Sequence, residues 1–170
     1  MKKSIIVLPI LFCFMISCQN NEFNTEQEEL NKSIVNKWLT EVNKENFEEL
    51  LEELWTDNCK HYFNSSPEAV EFNDFKQMLH HIYTEYPVIH HEVHDIIASD
   101  DKVVAKFSAK VLHDTIMFGV PASGKEIEWN AIAIFQLSNG KIQTRWELTD
   151  LLGMYEQLGM ELQLMETIDK

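Results

Sequence analysis

The stretch NAIAIFQLSNGKI, residues 130 to 142, constrains the fold most. It is apolar at nearly every position up to Leu137, so both of its faces are expected to be covered. Asn139-Gly140 then breaks the run and apolar character resumes at Ile142, the signature of a tight hairpin between two long strands. Such a pair cannot stand alone, and the rest of the chain has to supply what covers it.

Upstream, the hydrophobic period is two as far back as about residue 88. Val88–Ala98 and Val103–His113 read as strands joined by Ser99-Asp100-Asp101-Lys102, and Val103, Ala105, Phe107, Ala109, Val111 and His113 share one face. Earlier the period is near four. Leu30, Ile34, Trp38 and Val42, flanked by Val35 and Leu39, form a helical stripe. Leu50, Leu51 and Leu54 mark a second, shorter helix, ended by Thr56-Asp57-Asn58. Phe72, Phe75, Leu79, Ile82 and Tyr83 mark a third, stopped by Pro87. After the 126–137 and 141–149 hairpin, Ile142, Thr144, Trp146, Leu148 and Asp150 alternate onto one side, and a last helix uses Leu151, Leu152, Tyr155 and Leu158. Helices followed by an antiparallel meander predict an α+β domain whose sheet curls over the helices.

The first residues have another purpose. Lys2 and Lys3, an apolar run from Ile5 to Ile16 and then Met15-Ile16-Ser17-Cys18 match the three-part layout of a secretory signal. The last four residues resemble a bacterial lipobox, which makes Cys18 the lipidation site. The expected organisation is a signal peptide over 1–17, a polar tether over 18–27 and the domain over 28–170. That address is the bacterial cell envelope, with membrane contact through the lipid anchor alone. Losing Lys2 and Lys3 takes the formal charge from −14 to −16, which argues against nucleic acid as a partner. With Cys13 removed and Cys18 acylated, Cys59 has no disulfide partner in the chain.

FGVPASGKEIEW, AIFQLSNGKIQTRW and DLLGMYEQLG, together with Trp38, Asn43 and His61, resemble the SnoaL-like polyketide cyclase or ester cyclase family of the nuclear-transport-factor-two-like superfamily. The resemblance spans about residues 28 to 160. It implies a cone-shaped domain, N-terminal helices packed on a strongly curved antiparallel sheet, around an apolar pocket for a small hydrophobic molecule. It also implies that the family's general acid/base aspartate is replaced here by Ala133, a methyl group that cannot exchange a proton.

Candidate ligand-binding residues are therefore His61, Trp129, Ala133 and Trp146, and His113 with Asp150 is the candidate acid/base pair of an enzyme. Asp150 also stands where a helix N-cap belongs. His90, Glu92 and His94 share a strand face without a fourth ligand, so no metal and no cofactor is expected. Three functions stay open: a lipid-anchored binding domain, an ester cyclase, isomerase or hydrolase using His113 and Asp150, and a homodimeric interaction module paired through Ile132 and Ile134.

Overall fold

The computed structural model describes residues 10–86, 89–161 and 163, with side chains from residue 24 onward. The chain forms α1 (Ile10–Glu41), α2 (Phe47–Leu54), β1 (Trp55–Phe63), β2 (Val70–Glu71), α3 (Phe72–Glu85), β3 (Ile89–Ser99), β4 (Lys102–Leu112), β5 (Glu126–Ser138), β6 (Lys141–Thr149) and α4 (Leu151–Gln157). Six strands make one sheet in the order β2-β1-β6-β5-β4-β3, antiparallel except for the parallel β1–β6 pair. The helices-then-meander α+β architecture expected from the sequence is the one observed.

Packing explains each element. Val35, Trp38, Leu39 and Val42 bury the stripe of α1, and Phe47, Leu50, Leu51 and Leu54 that of α2. They meet the inward side chains of β4 and β5, Val103, Ala105, Phe107, Ala131, Ala133 and Phe135, in one core. Leu30, at the start of the expected stripe, is instead exposed. Asn139 and Gly140 adopt φ of 52° and 74°, the left-handed pair that a two-residue hairpin needs.

Three features differ from the sequence expectation. Residues 55 to 63 form β1, where Thr56-Asp57-Asn58 had suggested a break; Asp57 and Asn58 are exposed while Cys59 and His61 point inward. Residues 18–27, expected to be a polar tether, lie within α1, which neither glycine nor proline interrupts. The side chain of Cys18, residues 1–9, Pro87 and Val88 lie outside the described residues. Among the described residues no helix is long and apolar enough to cross a membrane.

The third difference decides the site. Leu137 pairs with Ile142, but Gln136 pairs with Thr144, so β6 carries one extra residue, Gln143. A one-residue bulge exchanges the faces of everything beyond it. Ile142 is inward, and after the bulge Arg145 and Glu147 are inward while Trp146 and Leu148 are outward. Trp146 therefore lies on the outer face and stacks on Tyr62, rings 5.9 Å apart and 6° from parallel. Ile132, Ile134, Trp146 and Leu148 together leave an exposed apolar outer face.

The domain has two distinct poles. At one, α1 meets the β3–β4 turn: Asn31 Nδ2 donates to the Asp100 carbonyl at 3.0 Å, and Asp100 N–H donates to Glu28 Oε1 at 3.0 Å. The other pole, where Trp38, Leu39 and Val42 of α1 approach Ile89 and His91 of β3, holds a cavity.

Candidate functional site

The cavity measures about 170 Å³ and opens toward a vestibule of about 970 Å³. Phe63, Ile82, Ile89, Trp129 and Thr149 border both spaces. The vestibule continues between α3, α4 and the β4–β5 connection, and its wall is largely apolar: Val111, Ile116, Met117, Phe118, Leu151, Met154 and Tyr155. An enclosed end with polar groups behind an apolar antechamber is a common form of small-molecule site.

Two imidazoles and two charged side chains converge on the inner cavity, His61 from β1, His91 from β3, and Arg145 and Glu147 from β6, beside Tyr83 of α3 and Thr149. Arg145 and Glu147 form a buried ion pair, 8% and 7% exposed. Glu147 Oε1 also accepts from the Thr149 hydroxyl at 2.9 Å. The guanidinium lies over the Phe107 and Phe135 rings, 5.8 and 5.4 Å from their centroids, which supplies cation–π stabilisation in a site shielded from water. Burial, opposed by Tyr83, brings Arg145 down to about 9, still charged at neutral pH.

His61 is 2% exposed, and neither ring nitrogen has a hydrogen-bond partner among the described residues. Its Nε2 stands 3.8 Å from Glu147 Oε2, beyond hydrogen-bond length, because Arg145 and Thr149 already hold that carboxylate. Desolvation first, and the Arg145 charge second, push His61 down to about 2, so the ring is neutral. His91 is pushed down to about 4 by burial, then by Arg145 and His90, and its Nδ1 is likewise without a partner. With one cation, one anion and two neutral imidazoles, the cavity offers hydrogen bonds and no net charge.

The sequence-derived candidates divide. His61 and Trp129 border the cavity. Ala133 is fully buried on the inward face but packs in the core between Ala105 and Glu147, its partners in register, and does not border the cavity. Trp146 is removed from it by the bulge. His113 and Asp150 border neither space, and each is otherwise engaged. Asp150 Oδ1 accepts from Gly153 N–H at 2.9 Å and caps α4. His113, fully buried, bonds to Ser123 Oγ at 2.9 Å and the Val120 carbonyl at 3.3 Å, while its backbone closes the 113–125 loop onto Lys125.

His113 thus braces the loop that walls the vestibule. Substituting it with alanine is expected to cost about 2–3 kcal/mol, since a fully buried side chain leaves a void and the loop loses two hydrogen bonds. Hydrogen exchange should accelerate over 114–124 and stay unchanged in β5 and β6; uniform protection across the loop would contradict this role.

Arg145 and Glu147 were not singled out from the sequence, and His91 stood out only as one of several neighbouring histidines. Charged residues inside a strand otherwise apolar on one side were the available signal, and it pointed to the wrong face until the bulge was located. His90, Glu92 and His94 make no metal cluster, and none occurs among the described residues.

A family model for SnoaL-like polyketide cyclase matches residues 33–158. No curated protein matches the chain by sequence. Among solved structures, a SnoaL-like protein of Jannaschia sp. CCS1 superposes with a TM-score of 0.70 at 21% identity, covering 79% of this chain and 95% of that one. IdmH of Streptomyces antibioticus gives 0.69 at 20% identity over 76% and 99%. A SnoaL-like polyketide cyclase of Agrobacterium tumefaciens gives 0.63 at 20% identity over 76% and 98%. At these identities the likeness is one of fold.

Proposed function

The chain belongs to the SnoaL-like polyketide cyclase family, and from that premise we propose that its cavity binds a small, uncharged molecule head first. A hydroxyl or carbonyl at its tip meets His61, and its apolar body lies along Trp129 into the vestibule. One observation carries this reading: a fully desolvated neutral imidazole with both nitrogens unpartnered among the described residues, facing a cavity. A buried polar group left unbonded costs about 1–3 kcal/mol, and a ligand oxygen recovers that energy. A charged ligand tip fits poorly, since Arg145 and Glu147 already neutralise each other.

Ala133 supports binding over the family-type proton transfer, having no ionisable group. A second reading, acid–base chemistry at the same cavity, is favoured by one fact. Glu147 lies directly across from Ala133 in the β5–β6 register, so a carboxylate is present one strand away. The pair His113 and Asp150 has no such support.

We further propose that Cys18 carries the lipid anchor of an envelope protein, and that the outer face of Ile132, Ile134, Trp146 and Leu148 pairs two copies.

The test compares 2-naphthol with naphthalene, which differ by one hydroxyl. Quenching of tryptophan fluorescence should show the chain binding 2-naphthol about 10- to 100-fold tighter, and His61→Leu should abolish that preference while leaving naphthalene affinity unchanged. Equal affinities in the unsubstituted chain would refute the reading.

A further inference from the structure

We infer that the lip of the vestibule is a lipid-docking surface, through which an apolar ligand passes between a bilayer and the cavity without crossing water. This rests on the cavity reading above.

The lip is built around a tight turn. Met117 and Val120 exchange backbone hydrogen bonds of 3.1 and 2.9 Å, and Phe118 and Gly119 between them have φ of 49° and 81°. Such a turn favours asparagine, aspartate or glycine at its first central position; a bulky side chain there is an uncommon, strained choice. Here the position holds a phenylalanine that is 56% exposed, next to Ile116 at 65%. Strain that leaves a large apolar ring in water is an observed outlier that calls for a functional reason.

The turn is also held firmly. The Tyr86 hydroxyl donates to the Ile116 carbonyl at 3.1 Å, the Phe118 ring meets Tyr155 edge to face at 5.2 Å, and His113 closes the loop's base. Ile116 and Phe118 line the vestibule itself, so the exposed apolar surface runs unbroken into the site.

The occupant follows from charge and from the chain's start. Residues 115 to 124 carry no charge in a chain of net −14, so the lip repels neither lipid headgroups nor a neutral interface. The N-terminal segment, read as a lipidated leader, sets the domain beside a bilayer. Its helix α1 reaches the opposite pole at Glu28 and Asn31, about 35 Å of strand away from the lip at about 3.3 Å per residue, and runs on back to Ile10. Anchor and lip therefore touch one bilayer together only with the long axis of α1 along the membrane plane. Two weak contacts at opposite ends hold a domain to a surface better than one.

The experiment measures transfer of N-phenyl-1-naphthylamine from phosphatidylcholine vesicles to the full chain by stopped-flow energy transfer from tryptophan. The transfer rate should rise in proportion to vesicle concentration, as collision requires. The double variant Ile116→Ser, Phe118→Asn should transfer at least ten-fold more slowly, at a rate independent of vesicle concentration, with a melting temperature no lower. Binding in buffer with a transfer rate that ignores vesicle concentration overturns this inference alone, whereas absence of binding in buffer overturns the cavity reading with it. Concentration-dependent dimerisation abolished by the double variant assigns the lip to a second copy and also overturns the inference.

Discussion

Replacing Arg145 with methionine alone, or Glu147 with leucine alone, is expected to destabilise the fold by about 3–5 kcal/mol, whereas both changes together recover most of that loss. Each single change leaves an opposite charge buried without its counter-ion, and the surroundings cannot solvate it: Phe107 and Phe135 lie against the guanidinium, and Glu147 retains only the Thr149 hydroxyl. The double change replaces a costly pair with apolar volume in a site already walled by aromatic rings. Urea denaturation of the four proteins measures this directly. The same series separates stability from binding, because the double variant is expected to fold and yet to bind 2-naphthol less tightly than the parent. A double variant destabilised by the sum of the two single losses would mean that the two side chains do not interact.

Acid should weaken the fold well before its carboxylates titrate. His61 and His91 are held in the native state far below the ordinary histidine value of about 6.5, at about 2 and about 4, by burial first and by the Arg145 charge second. The unfolded chain therefore binds protons that the native chain refuses. Stability is full above pH 6.5 and is lost as pH falls toward the native values, by about 1.4 kcal/mol per pH unit for each group. Between pH 7 and pH 5 the two together amount to about 4 kcal/mol. Denaturation midpoints of the chain and of a His61→Leu, His91→Leu variant at pH 7, 6 and 5 test this. The parent should lose stability steeply and the variant should not; parallel losses would place the acid sensitivity elsewhere.

Local pattern carried the fold further than it carried the site. The alternation in β4 identified its buried face down to His113, and Asn139-Gly140 identified the hairpin, because both depend on neighbours a few residues apart. Long-range pairing was not legible in the same way. β1 lies parallel to β6 with an irregular register, and its polar Thr56-Asp57-Asn58 resembles a turn when read without that partner. The bulge at Gln143 has no distinctive residue to announce it, so counting from Ile142 put Trp146 inside and Arg145 and Glu147 outside, the reverse of what β6 adopts. Histidine burial was equally ambiguous. His113 and His61 both sit on inward faces, but a loop completes the bonds of the first and nothing among the described residues completes those of the second. That difference exists only in three dimensions.

It also makes His61, rather than the aspartate position taken by Ala133, the centre of this account. A crystal structure of the chain grown with 2-naphthol tests it most directly. The account predicts the naphthol oxygen within hydrogen-bond distance of a His61 ring nitrogen, with the rings extending past Trp129 toward the vestibule. Naphthol bound in the vestibule alone, with His61 untouched, would contradict it.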